Sequence, residues 1–347
     1  MWRPGLRQAS FSLGRGAVRL RDPLSERPPH ETERSATSRR ASNTRAEQAP
    51  TRLCWRPAWT NDGASPMGRE VVVTLTDCHE YRYPGSVAEP IPVELIDAVR
   101  SEDAVLFCGA GLSASQGLPT ASSLAQSIAA RMRDFDGNPR DLTQVATAYA
   151  ALRGRHALIS FVVESLTQQP WQPGPAHADF AGLPFHAYVT TNWDALVEGA
   201  LQAANRRHQI VVTDSDVPFL TRSAVPVVKA HGELARPDTL VITDRDYFDL
   251  FSLRPSLTHL LDHYFSSKTL VFVGFALADP DFKRLFHACT QRFGPLRRHA
   301  YAIQLRPTSA DRRIWQAEQV DVIDADARDF AADLVRAMTQ PQPSSTA

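Results

Sequence analysis

Residues 104–119 read AVLFCGAGLSASQGLP, an apolar run that passes directly into glycines and other small residues. The run AVLFC is short and wholly apolar, which is typical of a strand buried on both faces of a parallel sheet. Gly109 and Gly111 follow at once. Because glycine lacks a Cβ, it permits positive φ and lets the backbone approach a ligand closely. In open parallel sheets such a turn binds a pyrophosphate, and the next helix directs its N–H groups at the anion.

The G-A-G turn alone is as typical of a structural turn as of a nucleotide-binding loop. Ser113, Gly117 and Pro119 extend it to the more specific pattern G-A-G-x-S-x-x-x-G-x-P. The extended pattern favours the nucleotide-binding interpretation.

Short apolar runs alternate with helical patterns over the rest of the chain. The strand-like runs after the first are HAYVTTN, QIVVTD, PVVKAHG, TLVITD, TLVFVGFA, HAYAIQL and VDVIDA. This alternation predicts an α/β fold, a Rossmann-like parallel sheet with helices on both faces. The consecutive helical patterns after the glycine-rich loop predict a small helical insert.

The first 66 residues differ from the rest, because they are rich in Arg, Ser and Pro and have no sustained apolar period. Such a segment is expected to be disordered. Its start resembles an organellar transit peptide, or Met67 is the true start and the extension carries no fold. The predicted organisation is 1–66 disordered extension, 67–91 lead-in, 92–340 nucleotide-binding domain with its helical insert at about 121–185, and 341–347 tail.

Composition excludes several functional classes. The 347 residues carry a formal net charge of zero, so no overall field favours nucleic acid. The four cysteines include no C-x-x-C pair, which excludes the usual four-cysteine zinc ribbon and gives no disulfide framework. No apolar run approaches the length that spans a bilayer. A cytoplasmic protein without nucleic-acid or membrane binding is expected.

Four motifs together resemble a known family. GAGLSASQGLP (109–119) is similar to the nucleotide-binding loop of sirtuin-like domains, the silent information regulator two superfamily. TTNWD (190–194) resembles its T-x-N-x-D motif, KAHGEL (229–234) its H-G motif, and VGFALADPDF (273–282) its late G-x-S/A-L-x-D-P segment. The resemblance covers 92 to about 340 and implies a Rossmann-like fold that binds NAD+.

The sequence departs from the protein deacylases of this family at two places, so the resemblance implies NAD+ chemistry more strongly than deacylation. Protein deacylases of this family follow the proline of the first loop with an aromatic–Arg pair, whereas Pro119 is followed by Thr120, Ala121 and Ser122. They also carry a zinc module of two C-x-x-C pairs, which this chain cannot form. The pattern is that of the divergent prokaryotic branch, whose characterised members are mainly NAD-cleaving enzymes of antiphage defence.

Three polar residues are the candidate catalytic groups. Cleavage of NAD+ at the ribose passes through a transition state with oxocarbenium character, as in glycoside hydrolysis. Asn192 is expected to hold a water or the ribose hydroxyls. If its strand continues, Asp194 faces the same side and supports the developing positive charge; it is equally suited to cap the next helix. His231, with a pKa expected near neutrality, is the candidate general base.

The candidate cofactor-binding residues are Gly109, Ala110, Gly111, Ser113, Gly117, Pro119, Thr191, Gly274, Phe275 and Asp279. Gly274 would let the adenosine half of NAD+ lie against the sheet. Three of the assignments have alternatives: Ser113 completes the turn, Phe275 belongs to the core, or Asp279 caps the following helix.

The expected function is that of an NAD+ glycohydrolase in prokaryotic defence, with NAD+ as substrate and no metal. An NAD-dependent deacylase or ADP-ribosyltransferase, and a non-catalytic sensor of NAD or ADP-ribose derivatives, are the alternatives. Since unrestrained NAD+ cleavage is toxic, a separate activating partner protein or self-assembly is also expected.

Overall fold

The computed structural model describes residues 89–277 and 298–340, and between them Phe282, Lys283, Phe286, His287 and Thr290. The predicted extension (1–66), the lead-in before residue 89 and the tail (341–347) lie outside the described residues.

Seven parallel strands form one sheet in the order β3-β4-β2-β1-β5-β6-β7. The strands are β1 (Ala104–Cys108), β2 (Ala187–Thr190), β3 (His208–Val211), β4 (Val225–Lys229), β5 (Thr269–Val273), β6 (Ala300–Gln304) and β7 (Val320–Asp324). The predicted Rossmann-like parallel sheet is confirmed.

Helices cover both faces of this sheet. They are α1 (Val93–Arg100), α2 (Ala110–Ala114), α3 (Ala121–Ala129), α4 (Leu142–Arg153), α5 (Arg155–Leu166), α6 (Pro175–Gly182), α7 (Leu196–Ala203), α8 (Asp244–Ser252), α9 (Pro255–Ser267), α10 (Ser309–Ala317) and α11 (Ala327–Thr339). Helices α1, α6, α7 and α11 share one core with the sheet. Helices α9 and α10 share the other.

Strand β1 shows why the first run of the sequence is wholly apolar. Leu106 packs in the core beneath α6 and α7, whereas Val105 and Phe107 pack in the core beneath α9. All five β1 side chains are buried, because successive residues of a strand point to opposite faces and both faces are covered.

The helical insert has a core of its own. Apolar side chains of α3, α4 and α5 pack together, and Leu240 and Ile242 join them from the segment before α8. Of the predicted insert, α6 behaves differently, because Ala176 and Phe180 belong to the main core with α7 and α11.

Two sequence expectations are wrong. TLVITD (239–244) forms no strand: a 3-10 turn at Pro237–Thr239 leads into the segment that packs on the insert. Its apolar residues Leu240 and Ile242 pack in the core of the insert and not against the sheet. Strand β2 ends at Thr190, so the side-by-side placement of Asn192 and Asp194 on a continuing strand does not occur.

Candidate active site

The candidate site lies where the chain reverses its direction across the sheet. From β1 the chain passes to β2 on one side, and from β4 it returns to β5 on the other side of β1. Ligands of open α/β sheets bind at such a switch point, outside the carboxyl ends of the strands. Gly109 follows β1 and Gly274 follows β5, so the two glycine turns meet there.

The two turns are joined by backbone hydrogen bonds. The amide of Gly109 donates to Val273 O at 2.8 Å, and the amide of Gly111 donates to Gly274 O at 2.8 Å. A Cβ on Gly109 would lie 2.6 Å from Gly274 O. Gly274 has φ +75°, and its Cβ would lie 2.5 Å from the amide nitrogen of Leu112. The backbones of the two turns are in direct contact here, so neither Gly109 nor Gly274 can be replaced by a residue with a side chain without moving the turns apart.

The loop after β1 becomes the short helix α2, which carries Ser113. Ser113 is buried, and its Oγ accepts a hydrogen bond from Asn192 Nδ2 at 2.9 Å. The same Nδ2 donates to Gly109 O at 3.0 Å. Ser113 therefore orients Asn192, a role that neither sequence alternative included.

Asn192 is locked in place with one polar atom unused. Its backbone amide donates to Thr190 Oγ1 at 3.0 Å, and Thr190 Oγ1 donates in turn to Cys108 O at 2.9 Å. Asn192 Oδ1 is buried and has no partner within the described part of the chain. A buried polar atom without a partner is costly, so this oxygen is suited to accept a hydrogen bond from a ligand.

The loop between β2 and α7 carries Trp193 and Asp194. Trp193 Nε1 donates to His231 O at 3.0 Å, which connects this loop to the one after β4. Asp194 Oδ1 accepts from the amide of Leu196 at 3.0 Å, at the start of α7. The carboxylate of Asp194 thus supports the helix start, while the residue also lines the cavity described below.

His231 follows β4 and is 6% exposed. Its Nε2 is buried and has no partner among the described residues, and its ring meets that of Tyr247 edge-on at 5.1 Å. Burial, with a smaller effect from the charge of Arg254, lowers the pKa of His231 to about 3. The imidazole is therefore neutral at neutral pH, in contrast to the near-neutral pKa expected from the sequence.

Gly232 explains the glycine of the H-G pair. It has φ +85°, and a Cβ would collide with the carbonyl oxygen of Thr239. A side chain there would displace His231, since the amide of Val241 donates to His231 O at 2.9 Å from the same segment.

A cavity of about 360 Å³ brings these residues together. One wall is polar and is formed by Ser113, Thr191, Asn192, Asp194 and His231. The apolar part of the lining, called the apolar wall below, is formed by side chains of the insert and of α8, among them Leu124, Leu142, Leu166 and Tyr247. A ligand in this cavity meets both hydrogen-bonding groups and an apolar surface.

Comparison with protein families locates a match over residues 186–323, to the family described as SIR2-like domain. The matched region includes TTNWD, KAHGEL and VGFALADPDF but begins after the glycine-rich loop at 109–119.

Several proteins are similar in sequence to this chain. It is 31% identical over 186 residues to "NAD(+) hydrolase ThsA" of Bacillus cereus (strain MSX-D12), covering 53% of this chain and 39% of that protein. A ThsA of Cytobacillus dafuensis is 29% identical over 191 residues, covering 54% and 38%. "Defense-associated sirtuin 2" of Bacillus subtilis is 22% identical over 205 residues, covering 56% and 20%. The chain spans under two-fifths of the length of both ThsA proteins.

Among solved structures, a complex of a Sir2 homolog with NAD superposes with a TM-score of 0.45 at 16% identity, covering 72% of this chain and 95% of that one.

The cavity contains most of the candidate residues in its lining. All three candidate catalytic residues line it, and so do Ala110, Gly111, Ser113, Pro119, Thr191, Gly274 and Phe275. Phe275 also packs against the core, so its core interpretation is confirmed, while its role in cofactor binding stays a prediction. Gly109 and Gly117 are not among the lining residues, and a Cβ on Gly117 would lie 3.4 Å from the Trp171 ring. Asp279 lies outside the described residues.

Sequence reasoning missed several functional neighbours. Tyr247 and the apolar wall carry no motif, because a helix residue facing a cavity looks like any core residue in sequence. Lys229 and Glu198 form a buried ion pair of 2.6 Å beside the site, although Lys229 stands inside the quoted KAHGEL. Burial raises the pKa of the Cys108 thiol, so this cysteine is not a nucleophile despite its position before the loop.

No metal-binding group and no membrane-spanning helix occur in the described regions. No cluster of three or more His, Cys, Asp or Glu side chains there is arranged to hold a metal ion. None of the helices there combines the length and apolar character that crossing a bilayer requires.

Proposed function

We propose that this chain cleaves the glycosidic bond between nicotinamide and ribose in NAD+, with water as acceptor, and releases nicotinamide and ADP-ribose. One observation carries the proposal: within the described part of the chain, Asn192 Oδ1 and His231 Nε2 are buried without hydrogen-bond partners, and both residues line one cavity at the switch point. Both atoms are suited to bind ribose hydroxyls or the attacking water.

Each residue of the polar wall has a role in this proposal. Asn192 Oδ1 accepts a hydrogen bond from the water or from a ribose hydroxyl. His231 enters the reaction as a neutral imidazole, so it accepts a hydrogen bond without first losing a proton. Asp194 stabilises the positive charge that develops on the ribose.

The relatives support this proposal. Two are named NAD(+) hydrolase ThsA, and a third is named a defence-associated sirtuin. On the same grounds we propose a role in prokaryotic antiphage defence. The hydrogen-bonding side chains of the polar wall support NAD+ as the substrate, and the proposal includes no metal.

The domain that performs this reaction is proposed to span 92–340, with its insert at about 121–185. We place the reaction in the cytoplasm. Because unrestrained loss of NAD+ would kill the cell, we also propose that a separate partner protein or self-assembly switches the activity on.

The test is NAD+ consumption by the purified full chain beside Asn192→Ala and His231→Ala, with nicotinamide and ADP-ribose quantified. Nicotinamide formed in equal amount to ADP-ribose without any acceptor, and lost in both variants, is the expected result. An acetyl-lysine peptide and a protein acceptor are added in parallel. If nicotinamide is released only when one of these acceptors is present, the protein is a deacylase or an ADP-ribosyltransferase and not a hydrolase. Tight NAD+ binding without turnover, alone and at high protein concentration, would favour a sensor.

A further inference from the structure

Lys229 is a charged residue in the interior, next to the candidate site. It is the last residue of β4, and its side chain is 1% exposed. Its Nζ lies 2.6 Å from Oε1 of Glu198 on α7, whose side chain is 7% exposed. An ammonium this deeply buried requires partners that offset its lost hydration. Glu198 supplies the charge partner.

The second partner of Lys229 belongs to the candidate site. Lys229 Nζ also donates a hydrogen bond to the backbone carbonyl of Asp194. The ammonium therefore connects the end of β4 to the loop that follows β2. Two further hydrogen bonds join the same two segments, from Trp193 Nε1 to His231 O and from the amide of Leu234 to Trp193 O, each at 3.0 Å.

We propose that Lys229 is a positioning residue for the cleavage of NAD+. Glu198 keeps the Lys229 ammonium in the position from which it donates a hydrogen bond to the Asp194 carbonyl. This inference rests on the proposed function. Lys229 does not line the cavity, so it acts through Asp194 and not on the substrate. Its contact fixes the distance between the loop bearing Asn192 and Asp194 and the loop bearing His231.

The pairing with Glu198 also has an electrostatic consequence. The transition state carries positive charge on the ribose, and a lone buried ammonium beside Asp194 would oppose that charge. With Glu198 at 2.6 Å the pair is neutral overall. Lys229 can thus hold the loop without opposing the positive charge that Asp194 is proposed to stabilise.

The test separates positioning from stability by replacing the whole pair. Lys229→Met/Glu198→Leu leaves no buried charge, and apolar replacement of a buried ion pair is often neutral or stabilising. We expect the melting temperature to stay near that of the wild type. We expect kcat for NAD+ cleavage to fall roughly tenfold or more while KM changes less than about threefold, because only the alignment of the reacting groups is lost.

A second variant keeps the test decisive if the apolar pair does not fold. Lys229→Gln/Glu198→Gln retains a hydrogen-bonded pair of similar volume but removes the charges and the reach to the Asp194 carbonyl. The same split between kcat and KM is expected. If either double variant has both the kcat and the melting temperature of the wild type, the proposal is overturned and the pair has a purely structural role.

The control and the second readout separate this proposal from the proposed function. Lys268→Met removes a partly buried ion pair of 3.0 Å with Asp103, before β5 and β1 at the opposite edge of the sheet, and should leave kcat unchanged. Hydrogen–deuterium exchange of residues 190–196 should accelerate in both double variants but not in Lys268→Met, whether or not NAD+ is cleaved. Unchanged exchange there would refute the positioning role, whereas an inactive wild type would refute only the proposed function.

Discussion

The side-chain amide of Asn192 donates a hydrogen bond to the carbonyl oxygen of Gly109 across 3.0 Å, from the loop after β2 to the end of β1. Together with the bond to Ser113, this contact uses the amide nitrogen entirely within the protein. The carbonyl end of the same amide is left for a ligand. The orientation of this functional group is therefore set by the glycine-rich loop before any substrate arrives.

Replacing Asn192 by Asp tests that orientation. The substitution keeps the shape but places an oxygen opposite the Gly109 carbonyl, so the amide donor is lost and two acceptors oppose each other. We expect kcat to fall roughly 100-fold or more and the melting temperature to drop. Steady-state kinetics and thermal unfolding measure both. Asn205→Asp, at an exposed position, is the matched control; wild-type kinetics in Asn192→Asp would mean that the donor is dispensable.

Gly274→Ala should be strongly destabilising. The new Cβ would meet the Leu112 amide at 2.5 Å in a backbone of φ +75°, so the turns after β1 and β5 must separate. We expect a loss of about 2 kcal/mol or more in the free energy of unfolding, measured by urea titration. Gly182→Ala is the control, because a Cβ there meets nothing within 4 Å. Equal stability of the two variants would contradict the close fit of the turns.

The pKa of His231 predicts the pH dependence of activity. Since it is lowered to about 3, the imidazole of the free protein stays neutral from pH 8 down to pH 5. We expect kcat/KM for NAD+ to show no limb near pH 6.5 arising from this residue. An NMR titration of the His231 ring provides the direct check, and a midpoint between pH 6 and 7 would refute the prediction.

The same pKa predicts a stability effect with a defined sign. In the unfolded chain His231 binds a proton below about pH 6.5, whereas the folded chain resists protonation, so stability is lost as the pH falls. Between pH 6.5 and pH 5 the loss attributable to His231 is about 2 kcal/mol. His231→Gln should reduce the drop in unfolding free energy over this interval; an unchanged drop would assign the acid sensitivity to other groups.

Chelation should not affect the reaction. The described residues contain no metal-binding cluster, and the proposed mechanism uses only the polar wall of the cavity. Treatment with EDTA or 1,10-phenanthroline, followed by removal of the chelator, should leave the rate of nicotinamide release unchanged. A loss of activity that added Zn²⁺ restores would reveal a metal requirement.

The sequence predicted the sheet and its polar edge well, because both depend on local patterns. Wholly apolar runs such as 104–108 have few alternatives to a buried strand, and the carboxyl ends of parallel strands necessarily share one edge. Asn192, Asp194 and His231 could therefore be assigned to one region before their separation in space was known. Their distance from one another in the chain did not matter.

The apolar wall and the electrostatics could not be predicted in the same way. Whether 239–244 pairs in a sheet or packs on helices depends on a second core, formed by residues about a hundred positions earlier. The low pKa of His231 depends on its burial in the folded chain, which no local pattern indicates. The link from Lys229 to Asp194 likewise exists only once β4 lies beside β2.

The insert contributes one wall of the cavity from a core that is separate from the sheet. Any molecule that fills the cavity therefore also stabilises the insert against local opening. By thermodynamic reciprocity, anything that loosens or braces the insert from outside changes the affinity for the cavity ligand by the same factor. A molecule that binds the outer surface of helices α3–α5 would therefore change how much of the cavity is occupied, without contacting Asn192, Asp194 or His231.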